Sequence, residues 1–361
     1  MEIKEHSAVK QNKINSLDGL KMLAMIAIFL WHSILWDSYI DLGARGCELF
    51  FLISGLLVGY NYYKKDVPAT WGESFRYVLK KICKFWPLHL FVTVLLFFFY
   101  FRVFTFAEIY KNLISLCMLQ AWSNNIDIYF AGNGVMWYLS AMMVCHFLSP
   151  FLLRLIKKGI RFSAAAFTIV FLIRFSIDFA KAMYPGMLLI DTHVSPVVRS
   201  MEFFMGMLMV PFMMCLKELA GKLTKSKRII LFTLIEIMIL GGALYLLTCH
   251  TGLWRSVCVL MFCPVVFVIS INEGIVSLIL SLKPFQWFSC IQLEFFILHQ
   301  ALIRLFYNLD YVGFDNRWIK GLMMFIIVAV AAAAYHVLLT GRLEKLMRRL
   351  FSRFLDKKAY E

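Results

Sequence analysis

Long apolar stretches separated by short polar ones recur along the whole chain. A stretch of about 20 apolar residues is long enough to cross a bilayer as a helix, and helices satisfy their own backbone hydrogen bonds in lipid. Ten such stretches lie near residues 18–36, 47–63, 86–104, 134–153, 162–180, 197–216, 229–247, 256–272, 286–307 and 318–340. The pattern therefore predicts an all-α polytopic membrane protein of about ten transmembrane helices.

Composition indicates the same class. Of the 361 residues, 61% are hydrophobic and only 16% are charged, and the mean hydropathy is +0.75. A soluble domain is about half apolar and about a quarter charged. We find no internal repeat or appended soluble domain, so residues 1–361 are predicted to form one membrane domain, with its core over about 14–350 and short cytoplasmic tails. Polar residues interrupt the apolar segment 106–122, which is predicted to be interfacial or re-entrant.

Lys and Arg are concentrated in alternate connecting segments. They are frequent in the two tails and in the loops after the second, fourth and sixth spans, and rare in the opposite loops. Cytoplasmic loops carry such an excess, so we predict a multi-pass protein of the cell (inner or cytoplasmic) membrane with both chain ends in the cytoplasm. The same distribution accounts for the net charge of +15, so nucleic acid is not an expected partner.

The nine cysteines occur singly, most of them within spans, and no CxxC pair is present. They are expected to be packing residues, so neither a metal site nor a disulfide framework is predicted. Cys83 lies in the basic segment after the second span and is expected to be reachable from the cytoplasm.

The first two spans contain the most informative polar residues. Lys21 and His32 are eleven positions apart, which places them within roughly 20° on a helix and about 16 Å apart along its axis. Glu48 lies at a similar depth on the second span and could orient the imidazole, or it could belong to an ion pair that only fastens the hairpin. Ser54 and Gly55 follow, where small side chains allow close helix packing or leave room for a slender ligand.

Other ionisable residues within spans are weaker candidates for function. Arg174 and Asp178 are four apart and are expected to neutralise each other. Arg199 and Glu202 begin the sixth span at its outer end and could hold a sugar. His299 lies slightly outward of the centre of the ninth span. The remaining ones are assigned to packing or hydrogen bonding: His146, Glu236 and His336.

Seven segments carry a resemblance to a known family when they are taken together and in order. They are LDGLKMLAMIAIFLWHS, GCELFFLISGLLVGY, KKICKFWPLH, VMWYLSAMMVCHFLSP, RSMEFFMGML, IQLEFFILHQ and RLEKLMRRL. Between about residue 14 and residue 350 they resemble the membrane-bound acyltransferases of family 3, typified by bacterial O-antigen and exopolysaccharide O-acetyltransferases.

The resemblance implies ten helices around a pore that admits acyl-CoA from the cytoplasm. His32 matches the catalytic histidine of that family, and Lys21 matches the basic residue eleven positions before it. Lys81 and Lys84 match paired arginines thought to hold the CoA phosphates, and Ser54 with Gly55 matches a Ser-Gly pair. Lys stands where Arg is usual at positions 21, 81 and 84, and Lys binds a phosphate without the bidentate geometry of Arg.

Residues and resemblance together predict transfer of an acyl group, an acetyl group by expectation, from cytoplasmic acetyl-CoA to a hydroxyl of a cell-surface or lipid-linked polysaccharide. Acetyl-CoA is then a co-substrate, and no permanently bound cofactor is expected. His32 would be the general base and Glu48 its orienting residue, with a covalent acyl intermediate as the other possibility. The candidates for the acceptor site are Trp137, Arg199, Glu202 and His299.

A transporter or flippase for polysaccharide or its lipid-linked precursor is the second hypothesis, because polytopic proteins with buried charges often transport. Against it, the chain contains no pair of Gly- or Pro-broken spans in matching halves. The expected partners are acyl-CoA, a carbohydrate acceptor and the lipid bilayer, and the sequence leaves the oligomeric state open.

Overall fold

A computed structural model describes residues 13–33, 35, 40–65, 67–100, 105–184, 191–247, 254–308 and 316–355. Within these residues the regular structure is helical and contains no strand. The helices in the first half of the chain are α1 (Asn15–His32), α2 (Leu42–Tyr62), α3 (Trp71–Tyr100), α4 (Phe106–Leu116), α5 (Ile126–Tyr129), α6 (Met136–Ile156) and α7 (Ile160–Met183).

The second half continues in the same way. Its helices are α8 (Pro196–Leu208), α9 (Val210–Gly221), α10 (Lys225–Leu247), α11 (Trp254–Ile271), α12 (Ile275–Leu280), α13 (Lys283–Asn308), α14 (Arg317–Tyr335), α15 (Gly341–Leu350) and α16 (Ser352–Leu355). A short π-helical segment, His336–Thr340, joins α14 to α15.

Each of the ten predicted spans falls on one of these helices or, for 197–216, on the consecutive pair α8 and α9. In the described part of the chain, eight helices are long and apolar enough to cross a membrane. The other two predicted spans lie on α1, which contains Asp18 and Lys21, and on α11, whose described apolar part, Ser256–Ile271, is shorter. The all-α, multi-pass membrane class is confirmed.

The structure corrects one predicted boundary. The basic segment after the second span is largely helical rather than a loop, since α3 begins at Trp71 instead of near residue 86. Its inner face packs against the C-terminal helix, where Cys83 is fully buried beside Leu79 and Met347. The expectation that Cys83 is accessible is therefore wrong, because the amphipathic α15 covers it.

The segment 106–122 does not form a spanning helix. It contains α4, which is only 11 residues long, and a single 3-10 turn at Gln120–Trp122. A helix of that length is about half of what a bilayer requires, which agrees with a non-spanning piece.

The central helices are buried, and the peripheral ones present apolar side chains outward. In α2, 72% of the apolar segment is buried, compared with 11% in α7. Because bulky apolar side chains cover the exposed faces of α7, α10 and α14, these helices are suited to contact lipid. Most of the polar residues discussed below lie on the central helices α1, α2, α6, α8 and α13, and Arg174 and Asp178 lie on the inner face of α7.

Helices α2 and α8 approach each other through two glycines. A Cβ at Gly55 would overlap the backbone of Phe203, and a Cβ at Gly206 would overlap the backbone of Leu52. Small residues allow such close approach between membrane helices. The structure therefore supports the packing role predicted for Gly55, since the position of its missing side chain is taken by α8; its assignment to donor binding stays a prediction.

The predicted orientation can be tested with single cysteines placed at exposed positions. The background replaces by Ser the exposed Cys117, Cys215 and Cys290 and also Cys249, which lies outside the described residues. In it, we expect Lys222→Cys to react with a membrane-impermeant maleimide only after permeabilisation of the cells. Asn124→Cys should react in intact cells, because the predicted orientation places it on the opposite side. The reverse pattern would show that the chain ends lie outside the cytoplasm.

Candidate active site

A cavity of about 400 Å³ lies where the C-terminal end of α1 meets the N-terminal ends of α2 and α6 and the second half of α13. We call it the His32 cavity. Aromatic and aliphatic side chains, including Trp31 and Trp137, form part of its wall. The polar side chains of the wall are His32, Asp41, Tyr129, Asp191, His193, Gln300 and Arg304. An aromatic surface with several hydrogen-bonding groups is suited to a polar organic molecule such as a sugar.

His32 is the last residue of α1, and its half-buried side chain reaches this cavity. Its Nδ1 atom lies 3.2 Å from Nε2 of Gln300 on α13. The ring of His299 lies 5.3 Å from that of His32, centroid to centroid. Position 32 therefore joins the first span to the ninth, a pairing that the sequence analysis did not predict.

His299 itself is not part of the cavity wall. Its side chain is fully buried, and its Nδ1 atom lies 2.6 Å from the carbonyl oxygen of Phe296. A residue enclosed in this way cannot contact an acceptor that enters the cavity. The assignment of His299 to the acceptor site is thus not supported by its position, which is behind His32.

The structure also places Glu48 differently from our prediction. Glu48 is fully buried, and its Oε2 atom pairs with Nη1 of Arg45 at 2.9 Å, one turn earlier on α2. Gln300 occupies the place beside His32 that was predicted for Glu48. The prediction failed because similar depth in the membrane does not determine which way a side chain points around its helix.

Glu48 belongs to a buried group of charges that we call the charge cluster. Arg174 pairs with Asp178 and lies 3.5 Å from Glu202, and Arg199 pairs with Glu202 at 2.6 Å. Three cations are thereby balanced by three anions among the described residues, as low-dielectric surroundings require. Its members are Arg45, Glu48, Arg174, Asp178, Arg199 and Glu202. The expected neutralisation of Arg174 by Asp178 is confirmed.

Arg199 connects the charge cluster to the cavity wall. Its Nε donates to the carbonyl oxygen of His193 at 2.7 Å, and its guanidinium lies 5.8 Å from the ring centre of Trp137. Arg199 and Glu202 are themselves fully buried and do not line the cavity. They therefore hold in place two wall residues, and the predicted direct contact of Arg199 and Glu202 with a sugar is not supported.

A second cavity, of about 220 Å³, lies deeper along α1, and we call it the Lys21 cavity. Lys21, Ser54 and Gln292 contribute polar groups to its wall. Nζ of Lys21 pairs with Asp18 at 2.9 Å, and Gln292 donates to the backbone carbonyl oxygen of Lys21 at 2.8 Å. Asp18 also pairs with Lys13. One carboxylate is thus shared by two lysines, and it compensates the charge of Lys21 only in part.

One layer of aromatic rings separates the two cavities. Tyr138 and Phe296 line both of them, and their ring centres are 5.1 Å apart. Ser54 lines the Lys21 cavity beside Tyr138. A molecule in the Lys21 cavity is therefore only one side chain away from a molecule in the His32 cavity.

Lys81 and Lys84 lie on α3 and do not line either cavity. Both side chains are exposed, and Nζ of Lys81 lies 5.3 Å above the ring of Tyr77. Tyr77 borders a smaller cavity of about 180 Å³. The predicted donor residues are thus divided between α3 and the Lys21 cavity.

The sequence analysis missed several residues of the His32 cavity. Gln300 and Arg304 are four apart on α13, so helical spacing alone would have placed their side chains on the same face of this helix. Asp191 and His193 lie just before α8, in a segment without a periodic signal. A neutral glutamine close to a span end carries no obvious cost in lipid, which is why it did not stand out.

The comparisons with known proteins give one match. A family model described as an acyltransferase domain matches residues 14–338, a range that contains every residue lining the two cavities. No curated protein and no solved structure matches the chain.

The supporting role of Arg199 predicts a large loss of stability on its removal. Arg199→Met leaves the charge cluster with two cations against three anions, and breaking a buried pair typically costs about 3–5 kcal/mol. We expect a clear fall in the thermal unfolding midpoint of the detergent-purified protein. Arg154→Met, at an exposed position of α6, should leave the midpoint nearly unchanged. Equal midpoints for both variants would show that the charge cluster does not support the fold.

Proposed function

The chain belongs to the membrane acyltransferase 3 family, and from this premise we propose that it transfers an acetyl group from cytoplasmic acetyl-CoA to a carbohydrate hydroxyl across the membrane. The acceptor in this proposal is a sugar of a cell-surface or lipid-linked polysaccharide. The protein would lie in the cell membrane with both chain ends in the cytoplasm, as the distribution of Lys and Arg predicts.

The observation that carries this proposal is the pair of cavities on either side of one aromatic layer. The donor would enter from the side of Lys21 and Ser54, and its thioester would reach the layer formed by Tyr138 and Phe296. The acceptor would occupy the His32 cavity on the other side. Two substrates from opposite faces of the membrane would thus meet when the side chains of Tyr138 and Phe296 move apart.

At the chemical step, His32 would act as a general base. The imidazole takes the proton of the acceptor hydroxyl while the hydroxyl oxygen attacks the thioester carbonyl. The tetrahedral intermediate then collapses, the carbon–sulfur bond breaks, and the CoA sulfur leaves with the electron pair. The proton held by His32 balances the charge of the departing thiolate.

The wall of the His32 cavity is suited to a neutral or weakly charged sugar as the acceptor. The polar wall contains acidic groups, Asp41 and Asp191, as well as Arg304 and two histidines. Such a mixture offers both hydrogen-bond donors and acceptors to hydroxyl groups. Trp137 adds an aromatic surface, and its ring is held between His193 and Arg199.

At the donor side, Lys81 and Lys84 are the more suitable partners for the CoA phosphates. Their side chains are exposed and, in the proposed orientation, face the cytoplasm. Lys21 shares its charge with Asp18, so we assign it a smaller part in phosphate binding. Transport of polysaccharide or of its lipid-linked precursor is less well supported, because the family match favours an enzyme.

Replacement of the proposed base should abolish most turnover. We expect His32→Ala to lower kcat by about 10²–10⁴, the usual contribution of a general base, while the affinity for CoA changes little. Transfer of radiolabelled acetyl from acetyl-CoA to a sugar acceptor measures the rate, and calorimetry measures binding. His336→Gln, on the π-helical segment outside both cavities, is the matched control. Normal turnover by His32→Ala would exclude this mechanism.

Substitutions at the basic residues should act on donor binding. We expect Lys81→Ala and Lys84→Ala to raise KM for acetyl-CoA more than they lower kcat, because a phosphate contact is similar in the ground and transition states. Both should also reduce the salt dependence of CoA binding. Lys21→Ala should have a smaller effect, since Lys21 already pairs with Asp18 and its charge is partly compensated.

The control for this series is Lys225→Ala, an exposed lysine at the start of α10. Unchanged KM in both α3 variants would reject the assignment of phosphate binding to α3. Absence of any saturable CoA binding by the unmodified protein would reject the proposed donor itself.

A further inference from the structure

Gln300 makes the only hydrogen-bond contact recorded for the His32 ring among the described residues. Nε2 of the amide lies 3.2 Å from Nδ1 of His32, so in this arrangement the amide donates to the ring. The other amide atom, Oε1, is buried and has no hydrogen-bond partner. A buried acceptor without a donor is unfavourable, because it has lost its water and gained nothing in return.

A half-turn of the amide group removes this unpaired acceptor. The oxygen and nitrogen of a glutamine amide have nearly the same size, and their placement is decided by the hydrogen bonds they can form. After the half-turn, Oε1 faces Nδ1 of His32 and accepts its proton. Nε2 then points toward Gly134, on the side where the carbonyl oxygen of Phe130 also lies. Nη2 of Arg304 approaches the same side of Gly134, yet Oε1 forms no hydrogen bond with it.

Gly134 leaves room for the amide group of Gln300 beside His32. A Cβ at this position would stand 2.7 Å from the Oε1 atom of Gln300, closer than real contacts allow. Gly134, two residues before α6, thus leaves room for the side chain that touches His32. Gly134 and Gln300 come from distant parts of the chain, and both line the His32 cavity.

The direction of the amide decides whether His32 can be a base. A neutral imidazole carries one proton, on either Nδ1 or Nε2. If Gln300 donates to Nδ1, the proton is on Nε2 and neither nitrogen has a free lone pair. If Gln300 accepts from Nδ1, Nε2 keeps its lone pair for the acceptor hydroxyl.

We propose that Gln300 is the positioning residue of His32, accepting the Nδ1 proton through its amide oxygen and leaving Nε2 unprotonated toward the cavity. This inference rests on the proposed role of His32 as the base. It replaces the carboxylate predicted for this position by a neutral amide, which fixes the tautomer of the ring without favouring its protonated form.

The experiment compares side chains at position 300 that can only accept, only donate or do neither. Gln300→Glu is an acceptor when ionised, Gln300→Lys is a donor and Gln300→Met is close in size without either ability. For each, kcat/KM of acetyl transfer is measured as a function of pH, together with KM for acetyl-CoA. CoA binding identifies the variants that are folded.

We expect Gln300→Glu to stay within about tenfold of the unmodified protein, with the acid limb of its pH profile moved to higher pH. A carboxylate stabilises the imidazolium, so a higher pH is needed to obtain the free base. Gln300→Lys and Gln300→Met should lose about 100-fold or more in kcat with little change in KM. An active Lys variant beside an inactive, folded Glu variant would overturn the proposal, and so would full activity of the Met variant.

Arg304 approaches the amide of Gln300 near Gly134, so it would attract a glutamate and repel a lysine at position 300; the uncharged Met variant separates this effect from the loss of the amide acceptor. Besides His32 itself, the titratable and charged groups of the cavity wall and of the ring contacts are Asp41, Cys47, Tyr129, Tyr138, Asp191, His193, His299 and Arg304.

A second measurement uses the unmodified protein and does not depend on the folding of a variant. In ¹⁵N-histidine-labelled protein, with H32Q to assign the signal, neutral His32 should show a protonated Nδ1 and an unprotonated Nε2. The opposite tautomer overturns the inference whatever the variants do. Absence of acetyl transfer by the unmodified protein would instead reject the proposed function, while the tautomer measurement would still decide the role of Gln300.

Discussion

The balance of three buried arginines against three buried carboxylates is the constraint on which the central helices depend. In a low-dielectric interior a single unpaired charge costs several kcal/mol, roughly the free energy that holds a whole domain together. The charge cluster joins α2, α7 and α8, and the hydroxyl of Ser256 extends it to α11 by a hydrogen bond to Asp178. Because Arg199 also holds the backbone of His193, the neutrality of the cluster and the shape of the His32 cavity are linked.

The close crossing of α2 and α8 brings the charges of this cluster together. Gly55 and Gly206 bring the two backbones into contact, and this approach allows charges from both helices to share one buried site. A larger residue at either glycine would separate the helices that carry Glu48 and Arg199. The small pair in the second span and the charged pair in the sixth span, which looked unrelated along the chain, are therefore parts of one contact.

The helices could be predicted from the sequence because an apolar run of about 20 residues has few alternatives to spanning the membrane. The start of α3 could not, since its basic first half packs against α15, a segment more than half the chain away that a local pattern does not reveal. His32 was found because a polar residue inside an apolar span is costly and so attracts attention. Glu48 was assigned to the wrong partner for lack of rotational information, and Gln300 was missed because a neutral amide has no such cost.

The choice of partner for His32 follows from the electrostatics of a buried base. A carboxylate beside an imidazole favours the protonated ring, yet a general base must be unprotonated before it reacts. A carboxylate would therefore shift to higher pH the range in which His32 is a free base. Glu48 is meanwhile committed to Arg45, so its removal from that pair to reach His32 would leave an arginine unbalanced. A neutral glutamine avoids both problems, since its amide oxygen can fix the tautomer of His32 while the charge cluster stays complete.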